Sequence, residues 1–256
     1  MFKIIKKEPL NPSMTRMVIE APFVARKAMP GQFIILRVNE TGERIPLTIA
    51  DYDREAGTVT IIYQKVGKST LLLDEQEAGG YLMDFIGPLG KASELEGYKK
   101  AAVIGGGAGC AIAYPQAKAL HAMGTKVDMI AGFRDKDLII LENEMREASD
   151  RLIVMTDDGS NGNKGFVTAA LQKNIDEGAD YDLVIAIGPI PMMKAIQNWQ
   201  TAYNMESWFS LEERMGCGFG ACAGCPANLR MPDGSIMKKG VCKLGPVFPG
   251  EDVIFQ

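Results

Sequence analysis

Four of the chain's five cysteines gather near its C-terminal end, at Cys217, Cys222, Cys225 and Cys242, within MGCGFGACAGCPANLRMPDGSIMKKGVC. The C-x4-C-x2-C spacing with a distant fourth member is the ligand pattern of a [2Fe–2S] cluster. Thiolate sulfur is a soft donor suited to such a cluster. Gly216, Gly218, Gly220 and Gly224 alternate with the thiols. Residues without a Cβ let the loop fold closely over an inorganic core and bring backbone N–H groups to the sulfurs, where they help set its potential. Two other readings compete. A structural zinc site also takes four cysteines, but its usual unit is paired C-x2-C. Two disulfides would suit a secreted chain, whereas cytosolic thiols are normally reduced.

Composition narrows the rest. At 256 residues the chain holds more than one typical domain. Its hydrophobic fraction of 46% and charged fraction of 23% are those of a soluble globular protein. With a net charge of −4 and no Lys/Arg run, no nucleic-acid partner is expected. The opening MFKIIKKEPLNP lacks the apolar core of a signal peptide, and no apolar run is long enough to span a bilayer. No membrane association and a cytoplasmic location are therefore expected. The one histidine, His121, is read as a solvent-side residue near a helix end, so imidazole-based catalysis is not expected. No residue is assigned as acid, base or nucleophile. A bound cofactor can carry redox chemistry without one.

The first third reads as β-structure. Short runs at Gln32–Val38, Thr58–Gln64 and Tyr81–Ile86 are separated by Pro30-Gly31, Thr41-Gly42, Ala56-Gly57, Gly79-Gly80 and Gly87-Pro88. Short strands between regular turn signals predict an antiparallel barrel. Within it, Gly67-Lys68-Ser69-Thr70 follows the strand that contains Ile62. A glycine and two hydroxyls at a strand end suit a phosphate, or serve as an ordinary helix N-cap for Leu71–Asp74. The middle alternates strand and helix. Apolar runs at Ala101–Ile104, Val127–Ala131, Leu152–Met155 and Leu183–Ile187 are followed by helical stretches at Ala111–Met123, Leu138–Ala148, Phe166–Asn174 and Pro191–Thr201. That order predicts a parallel doubly wound sheet with ligands at the carboxyl ends of its strands.

The first of those ends carries Gly105, Gly106, Gly107 and Gly109. Cys110 stands where the dinucleotide fingerprint needs a glycine, and Asp128 lies at the wrong end of its strand for a ribose contact. Glycines that open a helix still make a close anion site. Cys110 is either a small buried residue or a neighbour of the nicotinamide. Asp157 and Asp158 are acceptors suited to ribose hydroxyls or are solvated turn residues. Gly188-Pro189 permits close backbone approach, with Met192 at the adjacent helix start.

Together, Pro46-Leu47-Thr48 and the Gly67–Thr70 turn resemble the FAD-binding barrel of the ferredoxin–NADP reductase superfamily. The usual arginine before the proline is displaced by one residue, to Arg44, and Leu47 replaces a tyrosine. Gly105–Gly109, Thr156–Ser160 and Gly188–Met193 resemble its nicotinamide domain. The narrower similarity of SLEERMGCGFGACAGC is to the electron-transfer subunit of type B dihydroorotate dehydrogenase. That of Arg44–Asp53 and Val66–Thr70 is to the small subunit of electron-bifurcating NADH-dependent ferredoxin–NADP oxidoreductase, which is slightly preferred. The resemblance implies an FAD barrel over residues 1–99, a Rossmann-like NAD domain over 100–205 and a [2Fe–2S] module over 206–256. It implies FAD, [2Fe–2S] and NAD(H) as cofactors; NADP(H) stays open, with Arg134 placed to meet a 2′-phosphate or solvent. It also implies a hetero-oligomer with a larger redox subunit that carries flavin or iron–sulfur clusters. A zinc-bearing module without redox activity is the alternative of a different class.

Overall fold

The computed structural model describes residues 1–203 and 205–255. Its first sheet is built from β1 (Phe2–Asn11), β2 (Met14–Glu20), β3 (Phe33–Arg37), β4 (Ile45–Asp53), β5 (Thr58–Gln64), β6 (Tyr81–Leu82) and β7 (Asp84–Leu89). The strands run in the order β6-β1-β2-β5-β4-β3-β7, and all six pairings are antiparallel. The two edge strands are consecutive in the chain, with Met83 alone between them. The sheet therefore curls until its edges nearly meet, a near-closed barrel that leaves little free edge.

Alternation decides what fills the barrel. Ile34 and Leu36 of β3, Ile49 of β4, and Ile61 and Tyr63 of β5 point inward onto Leu73 of the short helix α2 (Lys68–Asp74), as does α1 (Pro22–Lys27) with Val24 and Ala25. Each of these large side chains contributes about 1.5–3 kcal/mol by leaving water. One polar knot ties α2 to the wall. The Thr15 hydroxyl donates to Asp74 Oδ1 at 2.7 Å, the Tyr63 hydroxyl donates to the same oxygen at 3.1 Å, and Lys65 Nζ lies 3.6 Å from Oδ2. Burial pushes the Asp74 carboxyl up, but these hydrogen bonds and the charges of Lys65 and Lys7 outweigh it, and the group sits below the usual carboxylate range. Because its folded value is depressed, the stability it contributes is complete above the unfolded value of about 3.9 and is lost as pH falls through the folded one. We expect Asp74→Asn to lower stability at pH 7 by roughly 1–2 kcal/mol, after allowing for partial exposure. It should also flatten the acid limb of a pH series of urea melts. An unchanged acid limb would remove Asp74 as its source.

The second sheet contains β8 (Lys100–Gly106), β9 (Lys126–Phe133), β10 (Arg151–Thr156), β11 (Leu183–Ile187) and β12 (Glu206–Ser210), all parallel. Between them lie α3 (Cys110–Ala122), α4 (Glu142–Glu147), α5 (Val167–Asp176) and α6 (Ile190–Tyr203). After the hairpin of β13 (Pro226–Arg230) and β14 (Ile236–Gly240) and the turn α7 (Val241–Leu244), β15 (Val247–Pro249) joins antiparallel to β12. The order β10-β9-β8-β11-β12-β15 reverses direction between β8 and β11. That is the topological switch point, where such sheets bind ligands.

Two expectations need correction. The helix expected over Leu138–Ala148 is broken. Leu141 takes a left-handed conformation, φ 55°, while its side chain is buried, so only Glu142–Glu147 is α-helical. A non-glycine residue there costs roughly 1–2 kcal/mol, and no α-helix runs through it. The boundary expected at residue 205 falls inside the second sheet, because β12 and β15 extend it. By contacts the chain forms two units. One comprises Met1–Ser93, Glu212–Ala227 and Lys238–Pro246; the other comprises Glu94–Leu211, Asn228–Met237 and Val247 onward. Among the described residues, no helix is long and apolar enough to cross a membrane.

Candidate functional site

The cysteine loop belongs to the barrel unit. All five cysteines are free thiols; Cys225 and Cys242 are buried, Cys217 is half-buried and Cys222 is exposed. The four C-terminal thiols fall into two neighbouring pairs, Cys217 beside Cys222 and Cys225 beside Cys242. Among the described residues no three His, Cys, Asp or Glu side chains meet at single-ion spacing. A two-iron cluster takes its thiolates two to each iron, and paired thiols fit that demand.

Backbone donors surround the sulfurs. Hydrogen bonds from the N–H groups of Phe219 and Cys222 hold the Cys217 thiol down at about 6. Burial, followed by the Cys225 thiol, pushes Cys242 up to about 12, against a hydrogen bond from Gly220. Cys242 N–H donates to Cys225 Sγ at 3.5 Å. The glycines keep this approach open. A Cβ on Gly224 would lie 3.3 Å from Cys222 Sγ, and one on Gly216 would lie 3.6 Å from it. The donors are soft, paired and wrapped in N–H groups, which suits [2Fe–2S].

The loop rests on the outer wall of the barrel. Ile45 and Leu47 pack against the barrel core, so Pro46 and Thr48 face outward on β4. Their cross-strand partners are Ile35 and Phe33. Both are buried although they point away from the core: Gly218 of the cysteine loop packs on Ile35, and Gly90, itself against Gly245, packs on Phe33. A Cβ on Gly218 would fall 2.5 Å from Ile35 Cδ1, and one on Gly90 would fall 2.7 Å from Gly245 O and 2.8 Å from Phe33 Cε1. Half-buried Pro46 and Thr48 thus share one wall with the cysteine loop.

The other barrel residues expected at a flavin are placed as follows. Arg44 is exposed, just before β4. The Leu47 side chain faces the core, which leaves only its backbone for a ligand. Ile62 is half-buried on β5, between inward-facing Ile61 and Tyr63. Gly67, not Ser69 or Thr70, caps α2, which starts at Lys68 rather than Leu71. The Thr70 hydroxyl accepts from the N–H groups of Val66 and Gly67 and donates to Gly67 O, all at 3.1 Å, and the Ser69 hydroxyl donates to Glu43. These hydroxyls shape the turn, while the first-turn N–H groups of a helix have no intrahelical acceptor. A Cβ on Gly67 meets nothing within 4 Å, so the turn opens to free space.

In the second unit the glycine turns of β8 and β11 interlock at the switch point. A Cβ on Gly106 would come within 2.9 Å of Pro189 Cδ and 3.0 Å of Met192 Sδ, and one on Gly188 within 2.8 Å of Met192 Cε. A Cβ on Gly109 would sit 2.2 Å from Ile187 O, whereas Gly107, at φ 56°, faces open space. Gly109 therefore provides the close helix-to-strand packing that the fingerprint assigns to its last glycine. Cys110 beside it is fully buried, against Gly105, and burial pushes its thiol up to about 12. It packs where α3 meets β8. Asp128 accepts from the Tyr181 hydroxyl at 2.6 Å inside the domain. Asp157 and Asp158 are exposed on the turn after β10, two strands from β8. Asp158 accepts from Ser160 N–H at 2.9 Å, which holds its carboxyl below the usual range. Arg134 is exposed after β9. His121 sits half-exposed at the end of α3, 3.9 Å from Asp150.

Residues 212–254 match the family described as the iron–sulfur cluster binding domain of dihydroorotate dehydrogenase B, and residues 103–198 match the oxidoreductase NAD-binding domain. A dihydroorotate dehydrogenase B (NAD(+)) electron transfer subunit from Geobacillus sp. is 35% identical over 98% of this chain and 96% of its own length. The chain belongs to the dihydroorotate dehydrogenase B electron-transfer subunit family. A homolog of that subunit from Thermotoga maritima is 40% identical over 98% of this chain and 86% of its own. A chain of the solved NADH-dependent reduced ferredoxin–NADP oxidoreductase, described for flavin-based electron bifurcation, superposes with a TM-score of 0.91. It is 38% identical over 99% of this chain and 90% of its own. Phthalate dioxygenase reductase shares the fold, with a TM-score of 0.60 and 16% identity over 94% of this chain and 76% of its own. Members of this electron-transfer subunit family are oxidoreductases, so the four thiols belong to an iron–sulfur domain and not to a zinc module. FAD, NAD and [2Fe–2S] are the cofactors that go with its three parts.

Proposed function

We propose that this subunit accepts electron pairs from NADH and delivers them singly to a larger redox subunit that carries flavin or iron–sulfur clusters. The observation that carries the reading is the shared wall, with Pro46 and Thr48 on the face of the barrel that also seats the cysteine loop. When bound, FAD takes a hydride and releases electrons one at a time, and a [2Fe–2S] cluster accepts them one at a time. In this reading β4 holds the flavin ring through the Leu47 backbone and Thr48, with Pro46 beside it. Arg44, Ile62 and the Gly67–Thr70 turn hold the remainder. The interlocked turns at Gly105–Gly109 and Gly188–Met192 receive the nicotinamide nucleotide, and Asp157 or Asp158 meets a ribose. Cys217, Cys222, Cys225 and Cys242 hold the iron. The functional division is 1–99 for FAD, 100–205 for NAD with β12 and β15 completing its sheet, and the cysteine-bearing remainder of 206–256 for the cluster. A cytoplasmic location follows from thiols that must stay reduced to bind iron.

Of the two known assemblies, the bifurcating oxidoreductase is preferred, on 38% identity and a TM-score of 0.91 across nearly the whole chain. The dihydroorotate dehydrogenase assembly is the second reading, favoured by the match over residues 212–254. Purification from the native host distinguishes them. A larger iron–sulfur flavoprotein, with NADH oxidation coupled to ferredoxin and NADP, supports the first. A dihydroorotate-oxidising subunit, with dihydroorotate-dependent NAD reduction, establishes the second and removes the first.

A further inference from the structure

We infer that Ile35 is a positioning residue that sets the gap between the flavin-bearing strand and the iron–sulfur loop. The inference rests on the function proposed above and adds the side chain that fixes its central distance. Ile35 is fully buried, yet it is not part of the barrel core, which takes Ile34 and Leu36 from the same strand. On one side its cross-strand partner is Pro46, two residues from Thr48. On the other side its Cδ1 lies beneath Gly218, in the loop between Cys217 and Cys222, where an added Cβ would approach to 2.5 Å. Leu89 Cδ1, at 2.9 Å from the same point, completes the seat. Gly218 has φ 80°, so the loop turns there in a conformation that glycine adopts without cost.

One side chain thus touches the ligand loop and abuts the strand expected at the flavin ring. Bulk on either side of this contact must lift the loop, and bulk removed from it must unseat the loop. The transfer being spaced moves one electron and no atom: the reduced flavin loses it, and one ferric iron becomes ferrous. Such a step depends on separation, which the Ile35–Gly218 contact defines.

The test uses the holoprotein, with flavin and iron counted, mixed anaerobically with NADH. Flavin bleaching is followed by absorbance and cluster reduction by freeze-quench EPR. Gly218→Ala is expected to keep the parental bleaching rate and to slow cluster reduction by about tenfold or more, the size of loss that changes around metal ligands bring. Adding Ile35→Val, which removes the clashing Cδ1, should return part of that rate. Ile35→Ala leaves the ligand loop's own sequence intact and applies even if Gly218→Ala fails to take up iron. With iron content and melting midpoint showing a loaded, folded protein, it is expected to slow cluster reduction and broaden the EPR signal. Parental rate and line shape in Ile35→Ala would overturn the inference, as would a double variant as slow as Gly218→Ala alone. A parent whose flavin bleaches but whose cluster never reduces would overturn the underlying reading as well.

Discussion

Cys242→Ser should leave NADH able to bleach the flavin while delivery of single electrons onward falls by at least about 100-fold, since even outer-shell changes at metal sites cost about 10–100-fold. The residue is buried, paired with Cys225 and approached by the Gly220 N–H. Serine would present a hard oxygen where a soft sulfur is required. Its small size preserves the fold of α7, so the loss is one of cluster and not of the barrel. Stopped-flow bleaching by NADH, run beside reduction of a one-electron acceptor, separates the two steps. Undiminished delivery would show that electrons leave by a route that avoids these thiols.

Gly109→Ala is expected to act on the other unit. Its new Cβ would sit 2.2 Å from the carbonyl oxygen of Ile187, a backbone atom that no rotamer change can move aside. The start of α3 must then lift from β11 at the switch point. Overpacking of this kind costs about 3 kcal/mol, which corresponds to a fall in Tm of roughly 6–12 °C for a chain of this size. The same displacement opens the interlocked turns, so NADH-driven bleaching should saturate at a higher NADH concentration. Gly107→Ala is the control. It faces open space and carries only the left-handed backbone penalty of about 1–2 kcal/mol. If the two variants melt alike, the close contact at Gly109 is not what holds the turn.

Much of this architecture was legible in the residues because local chemistry and tertiary structure agreed. The apolar runs Thr58–Gln64 and Leu183–Ile187 are strands with those limits, and the cysteine spacing matches the domain that covers residues 212–254. The failures have physical causes. β1 went unread because FKIIKKEPLN does not alternate cleanly; Ile4 is its one fully buried residue, and its pairing with β2 slips twice. The break at Leu141 depends on burial of its side chain, which outweighs a strained backbone. The glycine fingerprint was discounted because of Cys110, yet the contact that needs a glycine is made one residue earlier. The Thr70 hydroxyl closes its own turn, a role that its spacing alone does not reveal. The shared wall of β4 and the cysteine loop was out of reach of sequence reasoning, since it joins residues far apart in the chain.

The most direct measurement is an anaerobic titration of the isolated holoprotein with NADH, followed by visible absorption and EPR. A relay of this kind predicts that the flavin band bleaches and that the EPR signal of a single reduced [2Fe–2S] cluster per chain grows with it, both reversed by a one-electron oxidant. A colourless protein holding zinc, or a flavin that bleaches while the cluster stays oxidised, would contradict it.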